Sequence, residues 1–126
     1  MKSILIVDDD INLCIVLSEE LQENNYDAKF VNSADEAFDF LEKQSVDLIL
    51  LDLKMPVKDG LYVLGKLKEK KVDSKVIVLT AYSDIESAIK TAYLGAVDFL
   101  SKPYDIDDLL FAMKKALNQE EHENKC

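Results

Sequence analysis

The chain has 126 residues, 48% of them hydrophobic and 32% charged, with 25 acids against 15 bases for a net charge of −10. That size suits one domain around one core, and the acidic balance excludes a surface that grips nucleic-acid phosphates by charge. The two cysteines, Cys14 and Cys126, have no paired spacing and no adjacent histidine, which excludes a disulfide framework or zinc site and points to a reducing, cytoplasmic compartment. The apolar runs fall far short of the ~18 residues of a membrane span, and the N-terminus shows no cleavable signal pattern.

In chain order, short apolar runs at residues 4–7, 28–31, 48–51, 76–79 and 97–100 read as buried parallel strands, and the segments between them have helical spacing. The alternation predicts an α/β fold, a doubly wound five-stranded parallel sheet with five helices. Asp10 is expected to cap the first helix. That helix should bury Leu13, Val16, Leu17 and Leu21, leaving Ile11 and Ile15 as surplus apolar residues and Cys14 as a small hydrophobe. Ser33-Ala-Asp-Glu36 and Ser83-Asp-Ile-Glu86 match the capping box, in which a hydroxyl and a carboxylate satisfy free backbone N–H groups. Asp59 reads as a turn residue. Asp105 is a cap candidate for the last helix, whose Leu109, Leu110, Met113, Ala116 and Leu117 gather on one face. Residues 1–119 are read as one domain and 120–126 as a polar tail or the start of a linker, with His122 inert there.

Ligands of an open α/β sheet sit at the carboxyl ends of its strands. The first strand ends in Asp8 and Asp9, the third in Asp52 and the fourth in Thr80, and the fifth is followed by Ser101, Lys102 and Pro103. The second ends near Asn32 and offers little. Three carboxylates, a hydroxyl and an ammonium thus share one rim, with about −2 of formal charge. Hard oxygen donors without His or Cys suit Mg²⁺ or Mn²⁺. A carboxylate beside a divalent cation, a lysine and a hydroxyl is the arrangement of aspartyl-phosphate chemistry.

Four segments, Ile4-Leu-Ile-Val-Asp-Asp-Asp10, Leu51-Asp-Leu-Lys-Met-Pro-Val-Lys-Asp-Gly60, Val78-Leu-Thr-Ala81 and Phe99-Leu-Ser-Lys-Pro103, occur in an order and spacing that resembles the receiver domain of bacterial two-component response regulators. The resemblance runs from Lys2 to about Leu117 and implies the flavodoxin-like (βα)5 receiver fold. It implies that Asp52 accepts a phosphoryl group from a phosphohistidine. Asp8 and Asp9, with Asp52 and the backbone carbonyl of Lys54, would hold Mg²⁺, and Lys102 would pair with the phosphoryl oxygens. Thr80 and Phe99 would be the switch hydroxyl and switch aromatic, Lys102-Pro103 a cis peptide, and Lys54 and Tyr82 would influence dephosphorylation. Gly60 is expected to use its freedom at positive φ in the loop after Asp52. Within the family, Ala81-Tyr-Ser-Asp-Ile-Glu86 and Leu94-Gly-Ala-Val-Asp-Phe99 look most like receivers of nitrogen-regulation-type transcriptional activators.

The resemblance implies a sensor histidine kinase or phosphotransfer protein as partner, docking at Ile11, Ile15, Pro103 and Tyr104. A phosphorylation-dependent homodimer is a further expectation, with Lys90, Tyr93, Tyr104 and Asp108 as candidates on the output face. Neither nucleic acid nor membrane is an expected partner of this domain. The alternatives are a stand-alone single-domain regulator and a phosphorylation-independent protein-binding receiver. A small Mg²⁺-dependent phosphatase ranks low because its second aspartate, two residues after the nucleophile, is Lys54 here. An FMN carrier ranks low because no phosphate-cradling Ser/Thr/Gly loop follows the first strand.

Overall fold

The computed structural model describes residues 1–81 and 84–124, with side chains through residue 118. Tyr82, Ser83, Cys126 and the His122 side chain lie outside the described residues. Strands β1 (Ser3–Val7), β2 (Asp27–Val31), β3 (Leu48–Leu51), β4 (Lys75–Thr80) and β5 (Asp98–Ser101) alternate with helices α1 (Ile11–Glu23), α2 (Ala34–Lys43), α3 (Gly60–Glu69), α4 (Ile85–Tyr93) and α5 (Ile106–Asn124). The sheet is parallel, in the order β2-β1-β3-β4-β5. α5 continues to Asn124, into the stretch that the charge pattern assigned to a tail.

The inner strands β1, β3 and β4 are apolar through their middles because helices cover both faces of the sheet, while the edge strands carry Asp27, Lys29, Asp98 and Ser101. Successive residues point to opposite layers. Ile4, Ile6, Leu48, Leu50, Ile77 and Leu79 pack toward α1 and α5. Leu5, Val7, Ile49, Leu51, Val76 and Val78 enter the opposite layer, against α2 and α3. β1 and β3 are central neighbours, and the chain winds outward from them in both directions. The crevice at this reversal of strand order is where such sheets bind ligands.

Helix starts follow local chemistry. Asp10 Oδ1 accepts from Leu13 N at 3.1 Å and Asp59 Oδ1 from Tyr62 N at 3.0 Å, so Asp59 is a helix cap. Ser33 accepts from Glu36 N at 3.1 Å, while Glu36 reaches back to Asn32 N at 2.8 Å. The cap of α4 is Asp84, which accepts from Ser87 N at 2.6 Å, one residue beyond the expected Ser83. Asp105 precedes α5, and its carbonyl accepts from Leu109 N at 3.2 Å.

Two helices face differently from their sequence pattern. α1 buries Cys14, Leu17, Ser18 and Leu21, and Leu13 is half-buried, whereas Val16 is 56% exposed. Nearly every residue from Ile11 to Leu17 is apolar, so periodicity alone admits two faces. α4 is reversed: its buried residues are Ser87 and Thr91, while Ile85, Ile89 and Tyr93 form an exposed stripe. Lys68 Nζ holds its end by donating to the Tyr93 carbonyl at 3.2 Å and lies 4.8 Å from the Tyr93 ring centroid.

Between β3 and α3, Val57 has φ +69°, and Lys58 N donates to the Pro56 carbonyl at 2.9 Å, closing a three-residue turn. A β-branched residue is strained in that backbone region. Val57 is fully exposed, so its side chain gains nothing from burial. We expect Val57→Gly to stabilise the fold by about 1 kcal/mol, read as a higher urea midpoint at unchanged slope.

Candidate functional site

The rim is built by extending the parallel ladder one residue past the strands. Asp8 N donates to the Val31 carbonyl at 3.2 Å, Asp52 N to the Val7 carbonyl at 3.0 Å and Lys102 N to the Thr80 carbonyl at 2.9 Å. Each of these residues is therefore fixed by the strand beside it. Gly60 makes close packing behind Asp52 possible. A Cβ there would overlap the Asp52 carbonyl oxygen and stand 2.6 Å from Leu53 Cα. Its role is close approach, a correction to the expected positive φ; Gly95 is the glycine with positive φ, +102°.

Asp8, Asp9 and Asp52 each place a carboxylate oxygen within 4.8 Å of the others. Asp8 and Asp52 are buried and Asp9 is exposed. Lys102, whose peptide bond to Pro103 is cis, sends Nζ to 2.7 Å from Asp8 Oδ2 and 3.8 Å from Asp52 Oδ2. Asp10 N donates to Asp8 Oδ1 at 3.0 Å, and Lys54 N approaches Asp52 Oδ1 at 3.4 Å. A cleft of about 220 Å³ opens onto Asp52, Lys54, Thr80, Ala81 and Lys102.

Burial raises the Asp52 carboxyl above the ordinary carboxylate range. Lys102 opposes this, Asp8 adds to it, and hydrogen bonds from the Thr80 hydroxyl and Lys54 N–H pull it back down. The set fits a hard divalent cation: its donors are carboxylate oxygens, they converge, and one lysine is too little charge to balance three acids. Cys14 is buried beside them, and burial pushes its thiol up to about 11, which keeps it a protonated small side chain.

The structure thus brings together Asp8, Asp9, Asp52, Thr80 and Lys102, with Lys54 at the mouth. Phe99 is half-buried on β5, against the layer of α2 and α3. Pro103 and Tyr104 line an adjoining groove of about 900 Å³, which shares Ala81 and Lys102 with the cleft and whose apolar wall on α1 is Leu13, Val16 and Leu17. Ile11 and Ile15 are exposed on α1 outside that lining. Tyr104 packs against the core of α1 and α5, and burial pushes its hydroxyl up to about 12. Lys90 and Tyr93, grouped with it in the sequence reading, are exposed on α4. Asn32 was underrated. Its side-chain amide donates to the Asp8 carbonyl at 2.8 Å, a contact no spacing rule reveals.

A doubly wound parallel sheet with an acidic pocket at its switch point, faced by a lysine and a hydroxyl, defines a flavodoxin-like fold whose pocket has the donor set of a hard divalent cation. The profile of the response regulator receiver domain matches residues 4–114, and the chain belongs to this family, the receiver domains of two-component response regulators. Over 114 residues it is 38% identical to the transcriptional regulatory protein ZraR of Escherichia coli K12, covering 90% of this chain and 26% of that protein. The DNA-binding transcriptional regulator NtrC of Klebsiella pneumoniae is 34% identical over 113 residues, 90% of this chain and 24% of NtrC. The chain thus spans about a quarter of these relatives. The sporulation initiation phosphotransferase F of Bacillus subtilis 168 is 35% identical over 92% of this chain and 94% of its own length. Among solved structures, the Thermotoga maritima response regulator TrrA in complex with Mg²⁺ and BeF superimposes with a TM-score of 0.83 at 38% identity, over 93% of this chain and 100% of TrrA. Among the described residues, no helix is long and apolar enough to cross a membrane.

With its pKa raised, Asp52 binds more protons folded than unfolded between the ordinary carboxylate value and the raised one. In metal-free protein its contribution to stability therefore falls as pH rises through that window. We expect Asp52→Asn in EDTA to be more stable than wild type at neutral pH and flatter in its pH dependence, as measured by urea unfolding at stepped pH.

Proposed function

We propose that the domain is a phosphorylation-controlled switch whose phosphoacceptor is Asp52. The observation that carries this reading is the convergence of Asp52, Lys102 and Thr80 on one small cleft beside the Asp8–Asp9 pair. An Asp52 carboxylate oxygen attacks the phosphorus of a donor phosphohistidine. The new P–O bond forms as the P–N bond breaks, and the departing imidazole takes up a proton. Mg²⁺, held by Asp8, Asp9, Asp52 and the Lys54 carbonyl, would neutralise charge on the phosphoryl oxygens. Lys102 Nζ, already within 3.8 Å of Asp52, follows the new negative charge. The Thr80 hydroxyl hydrogen-bonds to a phosphoryl oxygen, and Phe99 repacks as β4 and β5 adjust. The domain thereby assists its own phosphorylation and hydrolysis, with Lys54 and Tyr82 influencing the second.

The α1 groove with Pro103 and Tyr104 is read as the docking place of a histidine kinase or phosphotransfer protein, extended by exposed Ile11 and Ile15. The exposed stripe of α4, with Lys90 and Tyr93, is read as the output face, where phosphorylation changes protein contacts, including homodimerisation. The relatedness to ZraR and NtrC supports a role as the regulatory domain of a transcriptional regulator in the cytoplasm. A stand-alone regulator is the second reading, favoured by the 35% identity to the Bacillus subtilis phosphotransferase F.

Incubation with acetyl phosphate and Mg²⁺ should add one phosphoryl group to the intact mass, and nothing without Mg²⁺ or in Asp52→Asn; labelling of that variant would overturn the assignment. Ile15→Asp and Val16→Asp should slow transfer from a histidine kinase that labels the wild type by about tenfold, the effect of one buried interface anchor. Their acetyl phosphate labelling should be unchanged. Equal transfer by both variants would remove the docking assignment.

A further inference from the structure

Asp8 and Asp9 are adjacent, so one peptide group joins them. The oxygen of that group, the Asp8 carbonyl, accepts from two side chains: Asn32 Nδ2 at 2.8 Å and Cys14 Sγ at 3.5 Å. The amide also lies 3.7 Å from the thiol, so the three groups form a triangle beneath the pocket. Asn32 comes from the β2–α2 turn and Cys14 from α1, and the pair therefore ties the β1–α1 turn to both neighbours. Asn32 is itself seated, its own N–H donating to Glu36 Oε1 at 2.8 Å.

The direction of a carbonyl sets the plane of its peptide. The two donors on the 8–9 peptide oxygen therefore anchor the stretch of backbone from which both side chains start. The two carboxylates are unequally held without it. Asp8 is gripped by Lys102 and Asp10 N, but Asp9 is exposed at the turn. A donor on the linking carbonyl acts on both, and the orientation of ligand groups by a second layer of hydrogen bonds affects cation affinity.

We infer that Asn32 is a positioning residue for divalent cation binding, acting through the Asp8 carbonyl to aim Asp8 and Asp9 together. This rests on the reading of the acidic cluster as a Mg²⁺ site. Neither the family resemblance nor the strand-end pattern gives the second strand any part in that site.

The test uses Asn32→Ala and Asn32→Leu, the latter close in size to Asn but with no donor. Mg²⁺ is titrated into wild type and variants by isothermal titration calorimetry, and thermal midpoints are taken in EDTA. Both variants should bind Mg²⁺ about tenfold more weakly, while acetyl phosphate labelling at saturating Mg²⁺ returns toward the wild-type rate. A purely structural role would lower the midpoint and leave the affinity of the folded protein unchanged. Wild type binding Mg²⁺ with either folded variant within about twofold of it would overturn the inference alone. Wild type failing to bind would overturn the metal reading and this inference with it. Failure of both variants to fold would assign Asn32 to the fold and overturn its positioning role.

Discussion

One ammonium group holds the acidic rim together. Lys102 lies 94 residues from Asp8 and reaches it at 2.7 Å, its side chain linking the end of β5, an edge strand, to the end of β1 past the intervening β3 and β4. Without it, two buried carboxylates and a third beside them would face one another in a medium that screens poorly. Lys102 also divides them unequally. Asp8 has the short contact and Asp52 the long one, so the carboxylate in the cleft is the less compensated of the two. The pocket is thereby left with more negative charge than the protein itself neutralises.

The surrounding fold serves this confrontation. Continuing the ladder past the strands makes the backbone of Asp8, Asp52 and Lys102 part of the sheet, so their side chains start from fixed positions. Gly60 lets α3 begin directly against the Asp52 carbonyl. Asp10 and Asp59 cap α1 and α3 on the same side of the molecule, so two helix starts flank the pocket with their own N–H groups already satisfied. The acids next to the three in the pocket are thus occupied in ending loops.

Much of this was legible in the sequence because parallel strands buried on both faces leave an uninterrupted apolar signature. All five strands begin and end within one residue of those runs, and the pocket residues follow directly from where the runs stop. What was illegible has physical causes. The inner face of α1 depends on which side of a nearly all-apolar segment the sheet covers, so Cys14 took the place given to Val16. Gly60 is required by a neighbour's backbone, which composition cannot display. Asn32 acts on a main-chain oxygen across the sheet, and a side chain that binds backbone has no sequence partner to reveal it. The start of α4 shifted by one residue because Ser83 and Asp84 are both competent caps and only the three-dimensional loop chooses between them.

The reversed α4 has a consequence for how the molecule can change shape. A helix seated through leucine or isoleucine leaves a void when it slides, at a cost of roughly 24 cal/mol for each Å³ left open. α4 is seated through Ser87 and Thr91, and the Thr91 hydroxyl donates to the Ala88 carbonyl of its own helix at 2.9 Å. That bond travels with the helix. A shift of α4 over the sheet would therefore empty little volume and leave the Thr91 hydroxyl paired, so this helix is held less firmly by its inner face than the leucine-seated α3.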